Sequence, residues 1–127
     1  MALSIFNGLM GNASEVNLEA LQKDVQKLLV EGESIQSAYK VIRDTFIFTN
    51  RRLILVDKQG VTGKKTEYLS IPYKSIVHFS VETAGTFDLD AELKIWISGN
   101  ATPLQKNFNK STNIYDVQRV LAKYVIG

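Results

Sequence analysis

Residues 44–73, DTFIFTNRRLILVDKQGVTGKKTEYLSIPY, constrain the fold of this chain more than any other stretch. Short β-rich runs alternate there with tight turn signals, and further strand-like runs follow. Only the segment after Thr112 returns to helical periodicity. Many short strands closed by one terminal amphipathic helix is the order of a small β-barrel or orthogonal sandwich plugged by a helix.

A helix is expected over residues 14–30. Ser14 offers an N-cap with Glu15 in the first turn, Leu18, Leu21, Val25, Leu28 and Leu29 share one stripe, and Gly32 supplies the stop. Strands are expected over 34–42, 45–49, 52–57, 64–71, 77–83, 89–97 and 102–108. A tight turn at Arg43 and Asp44 separates the first two. Asn50 and Arg51 suggest a hairpin turn, because Asn tolerates positive φ. The run Leu53-Ile54-Leu55-Val56 implies burial on both faces. Pro72 closes the fourth strand, since it has no N–H for the ladder.

In the fifth strand Val77, Phe79 and Val81 are expected inward, with His78, Ser80 and Glu82 outward. The sixth alternates most clearly: Leu89, Ala91, Leu93, Ile95 and Ile97 oppose Asp90, Glu92, Lys94 and Trp96. Gly99 and Asn100 mark a hairpin. In the seventh, Lys106 falls between the inward Leu104 and Phe108, which requires a bulge or an edge position. Thr112 is expected to cap a final helix whose stripe is Ile114, Val117, Leu121, Tyr124 and Val125.

The chain of 127 residues suits one folding unit, divided here into an apolar lead and helix (1–31) and a β-domain (32–127). A net charge of +2 argues against a nucleic-acid surface, which would show as a strong basic patch. No cysteine is present, so disulfides and thiolate metal sites are excluded. No run approaches the ~20 apolar residues of a membrane-spanning helix. The opening MALSIFNGLMG lacks a basic region and makes a poor signal peptide, so a cytoplasmic location is expected.

Several residues invite a chemical reading. His78 is the single histidine, and an acid–base or metal role needs partners converging on it; a solvated strand histidine is the simpler account. Residues 60–65, GVTGKK, have the wrong spacing for a phosphate loop and lie between strands. Neither a catalytic group nor a cofactor or metal site is expected. Lys40, Arg43, Arg51, Arg52, Lys58, Lys64 and Lys65 come from neighbouring hairpins and could gather at one rim as an anion or lipid contact. Solubilising hairpin charge, offset by Asp44, Asp57 and Glu67, is the favoured account, given the modest net charge. Trp96 points away from the inward stripe, toward another chain or under this chain's own first helix. Leu3, Ile5, Phe6, Leu9 and Met10 suit docking on a neighbouring subunit first, packing on their own domain second, and a membrane last.

Seven strands followed by a capping helix is the pleckstrin-homology order, and the residues resemble the bacterial pleckstrin-homology domains. FTNRRLI at 48–54, DKQG at 57–60 with GKK at 63–65, and EYLSIPY at 67–73 carry the likeness, which covers about residues 32–126. The resemblance implies a mainly β fold with helices: a seven-stranded, partly open barrel of two orthogonal antiparallel sheets, capped by the C-terminal helix, with an added N-terminal helix. It also implies self-assembly into rings. It does not imply phosphoinositide binding, because the turn between the first two strands is only Ile42-Arg43-Asp44 and carries an acid. The expected function is a non-enzymatic module that forms homo-oligomers, with Leu18, Leu21, Val25 and Trp96 as interface residues. The alternatives are an anionic-lipid binder using Lys40, Arg43, Arg51, Arg52, Lys64 and Lys65, or a peptide-binding adaptor.

Overall fold

The computed structural model describes residues 18–41, 44–59, 65–83, 91–108 and 112–127. Helix α1 (Leu18–Gln26) leads into β1 (Ile35–Val41), β2 (Asp44–Thr49), β3 (Arg52–Gln59) and β4 (Lys65–Pro72). A 3-10 turn (Tyr73–Ser75) then passes the chain to β5 (Ile76–Glu82), β6 (Ala91–Ile97), β7 (Leu104–Phe108) and helix α2 (Ile114–Val125). The strands form a four-stranded antiparallel meander, β1-β2-β3-β4, and a three-stranded one, β5-β6-β7. The expected partly open, helix-capped pair of sheets is the fold observed.

Strands β1–β3 of the four-stranded sheet are buried on both faces, as the unbroken apolar run in β3 requires. Its inner face carries Tyr39, Phe46, Phe48, Leu53, Leu55 and Ile71. These meet Leu93, Ile95 and Phe108 of the second sheet and Ile114, Val117 and Leu121 of α2. Phe46 packs edge-on to Phe108 with ring centroids 5.2 Å apart, tying the two sheets together. The outer face carries Ile35, Ala38, Ile47, Ile54 and Val56 and is covered by Val25, with Leu21, Leu29 and Tyr68 around it. The N-terminal stripe therefore covers the outer face of its own chain's sheet.

Local details depart from the sequence reading. Helix α1 ends at Gln26 instead of Val30, because the next amides turn tightly: Leu28 N–H donates to the Val25 carbonyl (2.8 Å) and Leu29 N–H to that of Gln26 (3.2 Å). Gly32 does not end the helix. It takes φ +80° in the turn before β1, a conformation that favours glycine. The expected Ser14 cap lies outside the described residues.

Asn50 turns the β2–β3 hairpin without positive φ. Its side chain instead accepts from Ser34 N–H (2.8 Å) and donates to the Gly32 carbonyl (3.0 Å), while the Thr49 hydroxyl accepts from the Arg51 and Arg52 amides. The α2 cap is Asn113, whose side chain accepts from Tyr115 N–H, and not the buried Thr112. The β6–β7 turn closes between Ile97 and Asn100 with Gly99 at φ +88°.

Two departures matter for surfaces. Val77 was expected inward, but the β5–β6 register shifts between Ile76 and His78. The extra residue turns Val77 out, leaving it 60% exposed, while Ile76 takes the inward place. At Lys106, β7 is an edge strand with no register shift against β6. Lys106 does point inward, opposite Leu93, and its ammonium reaches Asp44 of β2 at 2.8 Å. The inward lysine is thus an ion pair between the two sheets where β1 approaches β7.

Candidate interaction surfaces

The sequence-predicted interface residues are placed differently from one another. Leu18 opens α1, and its side chain lies outside what is described. Leu21 is half-buried against the outer-face core, and Val25 is fully buried in it. In this arrangement Val25 presents nothing to another molecule, because the outer face of β1–β3 consumes its whole surface. Trp96 is half-buried on the outer face of the second sheet. It sits opposite His78 in register, the two rings stacked with centroids 4.5 Å apart and 28° between planes. The cover over Trp96 is therefore the imidazole across the ladder, and Val77 bulges out beside that stack.

The sheet edges provide the second surface. β4 and β5 are the outer strands on either side of the Tyr73–Ser75 turn, so the chain passes from the edge of one sheet to the edge of the other. Most of β4 is exposed, including Leu69 at 38%. Across the turn, Tyr73 donates its hydroxyl to the Thr49 carbonyl (2.7 Å) and stacks on Tyr124 of α2 at 4.8 Å. Burial raises the Tyr73 phenol far above its usual range and that of Tyr39 to about 12, so both stay neutral at physiological pH.

The basic rim weighed as an alternative divides in two. In an antiparallel meander the β1–β2 and β3–β4 turns share one end and the β2–β3 turn lies at the other. Lys40, Lys58 and Lys65 belong to the first end, Arg51 and Arg52 to the second; Arg43 and Lys64 lie outside the described residues. Lys40 has its pKa lowered by burial and by the neighbouring Lys58, against the pull of Asp44. Asp44, Asp57 and Glu67 fall in one cross-strand row beside these bases.

Arg52 is not available to a ligand. Its Nε donates to Glu33 Oε2 (2.9 Å), Nη2 to Glu33 Oε1 (3.1 Å) and the Leu28 carbonyl (2.6 Å), and Nη1 to Ser70 Oγ (2.9 Å). Glu33 also accepts from the Thr49 hydroxyl (2.7 Å) and Val30 N–H (3.0 Å). Burial alone would raise the Glu33 pKa. The bonds from Arg52, Thr49 and Val30, with the Arg52 charge, outweigh it and hold the carboxyl below its ordinary value. Sequence reading missed this network: a glutamate in the run Glu31-Gly32-Glu33-Ser34 carries no mark of burial, and its partner is distant in the chain.

Among the described residues no cluster of three or more His, Asp or Glu side chains could hold a metal, and no helix is long and apolar enough to cross a membrane. Among the described residues His78 has Trp96 against its ring and no acid or nucleophile paired with it.

Comparison with known proteins gives a consistent result. The family described as "Bacterial PH domain" matches residues 4–125. The Bacillus subtilis protein YjqA, described as uncharacterized, is 58% identical over 121 residues, which is 94% of this chain and 97% of YjqA. The chain superposes on the crystal structure of a pleckstrin homology domain from Shewanella amazonensis SB2B with a TM-score of 0.80 and 57% identity, covering 95% of this chain and 98% of that one. A pleckstrin-homology-domain protein from Shewanella loihica PV-4 gives 0.78 and 54%, covering 88% and 96%.

Proposed function

We propose a function from one premise: this chain belongs to the bacterial PH domain family. Within that family it acts as a non-enzymatic module that assembles with copies of itself, and the assembly is a ring. The observation supporting this is the surface its own fold leaves uncovered. Val77 stands out beside the Trp96–His78 stack on one sheet, and β4, with Leu69, forms a free edge of the other.

These surfaces are unlike each other. A contact between them is head-to-tail, and such contacts close into a ring when the rotation allows. Trp96 fits the role, because tryptophan is enriched at interface hot spots and its indole here is only half covered. The absolute mass of the native particle at several concentrations tests the reading. A stable multimer that Val77→Asp reduces to single chains supports it; a particle that stays monomeric at high concentration ends it.

A second reading draws on Lys40. Its pKa is lowered first by burial and then by the neighbouring Lys58, and an anion at that end of the meander would offset the two like charges. Flotation with vesicles containing anionic lipid tests it, with loss of binding in Lys40→Ala plus Lys58→Ala as the supporting outcome. Recovery of vesicles without protein at low salt counts against it.

A further inference from the structure

The single histidine and the single tryptophan of this chain are stacked on each other, ring centroids 4.5 Å apart. A backbone irregularity places them so. The β5–β6 register shifts between Ile76 and His78, which turns Val77 out and sets His78 opposite Trp96. Along the same outward face the next row is Ser80 opposite Lys94, and the row beyond is Glu82 opposite Glu92. Rows on one face of a sheet are about 7 Å apart, so both carboxylates stand about 13 Å along the strands from the stack. Lys94 comes between, and its ammonium reaches toward Glu92 at 3.6 Å. Gln105 of β7 donates to Glu92 as well. The charges of this face are thus gathered at the end away from the imidazole.

We propose that the His78–Trp96 stack is a proton-sensitive switch on the contact between copies: neutral imidazole lets the Val77–Trp96 surface be buried, and imidazolium opposes it. The proposal rests on the self-assembly reading above and adds its regulation. Imidazole is the side chain that changes charge between about pH 5 and 8. In a single chain the charged form is harmless, because His78 is exposed to water and a cation over an indole face is attracted by it. In the contact the water is gone, and a cation whose own face keeps its carboxylates two rows away is desolvated without compensation. The opposing strand β4 carries Lys65 and Glu67 on the side of Leu69, one charge of each sign, and so brings no net countercharge. The assembled form therefore binds the proton less readily than the free chain, and association weakens as pH falls. One proton excluded per contact changes the dissociation constant by up to about tenfold per pH unit.

Light scattering of the full chain at about pH 8 and about pH 5.5, on either side of the imidazole range, tests the switch. Wild type is expected to be a multimer at the higher pH that dissociates reversibly at the lower. His78→Gln, neutral throughout, should keep its mass at both. His78→Arg, a fixed planar cation that also stacks on indole, should be a single chain at both. These variants differ only at an exposed side chain, so folding should be little affected. Trp96 is the sole indole, and its emission reads the same proton: dilute wild type should dim on acidification and His78→Gln should not. A wild-type mass that is equal at both pH values or grows on acidification overturns the switch. So does a His78→Gln multimer that dissociates like wild type, a His78→Arg multimer at about pH 8, or unchanged wild-type emission. Each of these leaves self-assembly standing. A wild type that is a single chain at about pH 8 removes the self-assembly reading and the switch together.

Discussion

Arg52 grips both carboxylate oxygens of Glu33 across 19 positions of sequence, Nε to Oε2 at 2.9 Å and Nη2 to Oε1 at 3.1 Å, with the acid side chain only 1% exposed. The two-pronged geometry suits guanidinium and not ammonium. Arg52→Ala leaves a buried carboxylate without its partner, and the expected loss is about 3 kcal/mol. Arg52→Lys should recover only part of it. Urea unfolding of the variants checks this through the transition midpoint; a change within error of wild type for Arg52→Ala would show that the pair does not hold the N-terminal segment.

The same pair sets an acid limit on stability. The folded-state pKa of Glu33 lies below its ordinary value, so the unfolded chain takes up the proton first as pH falls. The stabilisation is complete above the unfolded glutamate pKa of about 4.3 and is lost as pH drops through the lower folded value. Glu33→Gln removes this titration. The stability gap between wild type and Glu33→Gln is expected to be constant from pH 7 to 6 and to narrow below pH 5, read from urea unfolding at stepped pH. A gap that widens on acidification contradicts the assigned sign.

Much of the fold could be read from the sequence because its main signals are local. The alternation of Ala91, Leu93, Ile95 and Ile97 sets the face of β6, and the unbroken Leu53–Val56 run announces a strand covered on both sides. What could not be read depends on pairing across distance. A bulge such as Val77 shifts one strand against its neighbour and leaves no residue-type signature. Lys106 looked like a flaw in a strand pattern until Asp44, 62 positions away, came to face it. Of the suggested site residues, Val25 and Arg52 lie within the chain's own packing, and Trp96 keeps a surface with His78 stacked on it. Hydrophobicity and charge were legible, but which partner each would find was not.

Val77→Asp separates assembly from stability. The side chain is 60% exposed, so the change should alter folding by no more than about 0.5 kcal/mol, the usual range for surface sites. If the Val77–Trp96 surface joins copies, a buried unpaired carboxylate at the contact should lower the native mass to that of one chain. Size-exclusion chromatography with light scattering gives the mass, and urea unfolding gives the control. An unchanged multimer places the contact elsewhere.

The Asp44–Lys106 pair tests how the sheets are closed where β1 meets β7. Its 2.8 Å contact lies inside the barrel mouth, with side-chain exposures of 24% for the lysine and 11% for the acid. Lys106→Met keeps the aliphatic stem against Leu93 but strands the Asp44 carboxylate, and the expected cost is about 2 kcal/mol, below that of a fully buried pair because water still reaches the ammonium. Asp44→Asn alone leaves the lysine able to turn outward and should cost less. Combining the two removes the unpaired charge, so the double variant should lose less than the sum of the singles, with a coupling of about 1 kcal/mol. Equilibrium unfolding of the four proteins completes the cycle. Strict additivity would mean that the pair contributes nothing to holding β7 against the first sheet, and that Phe46 on Phe108 alone closes that side.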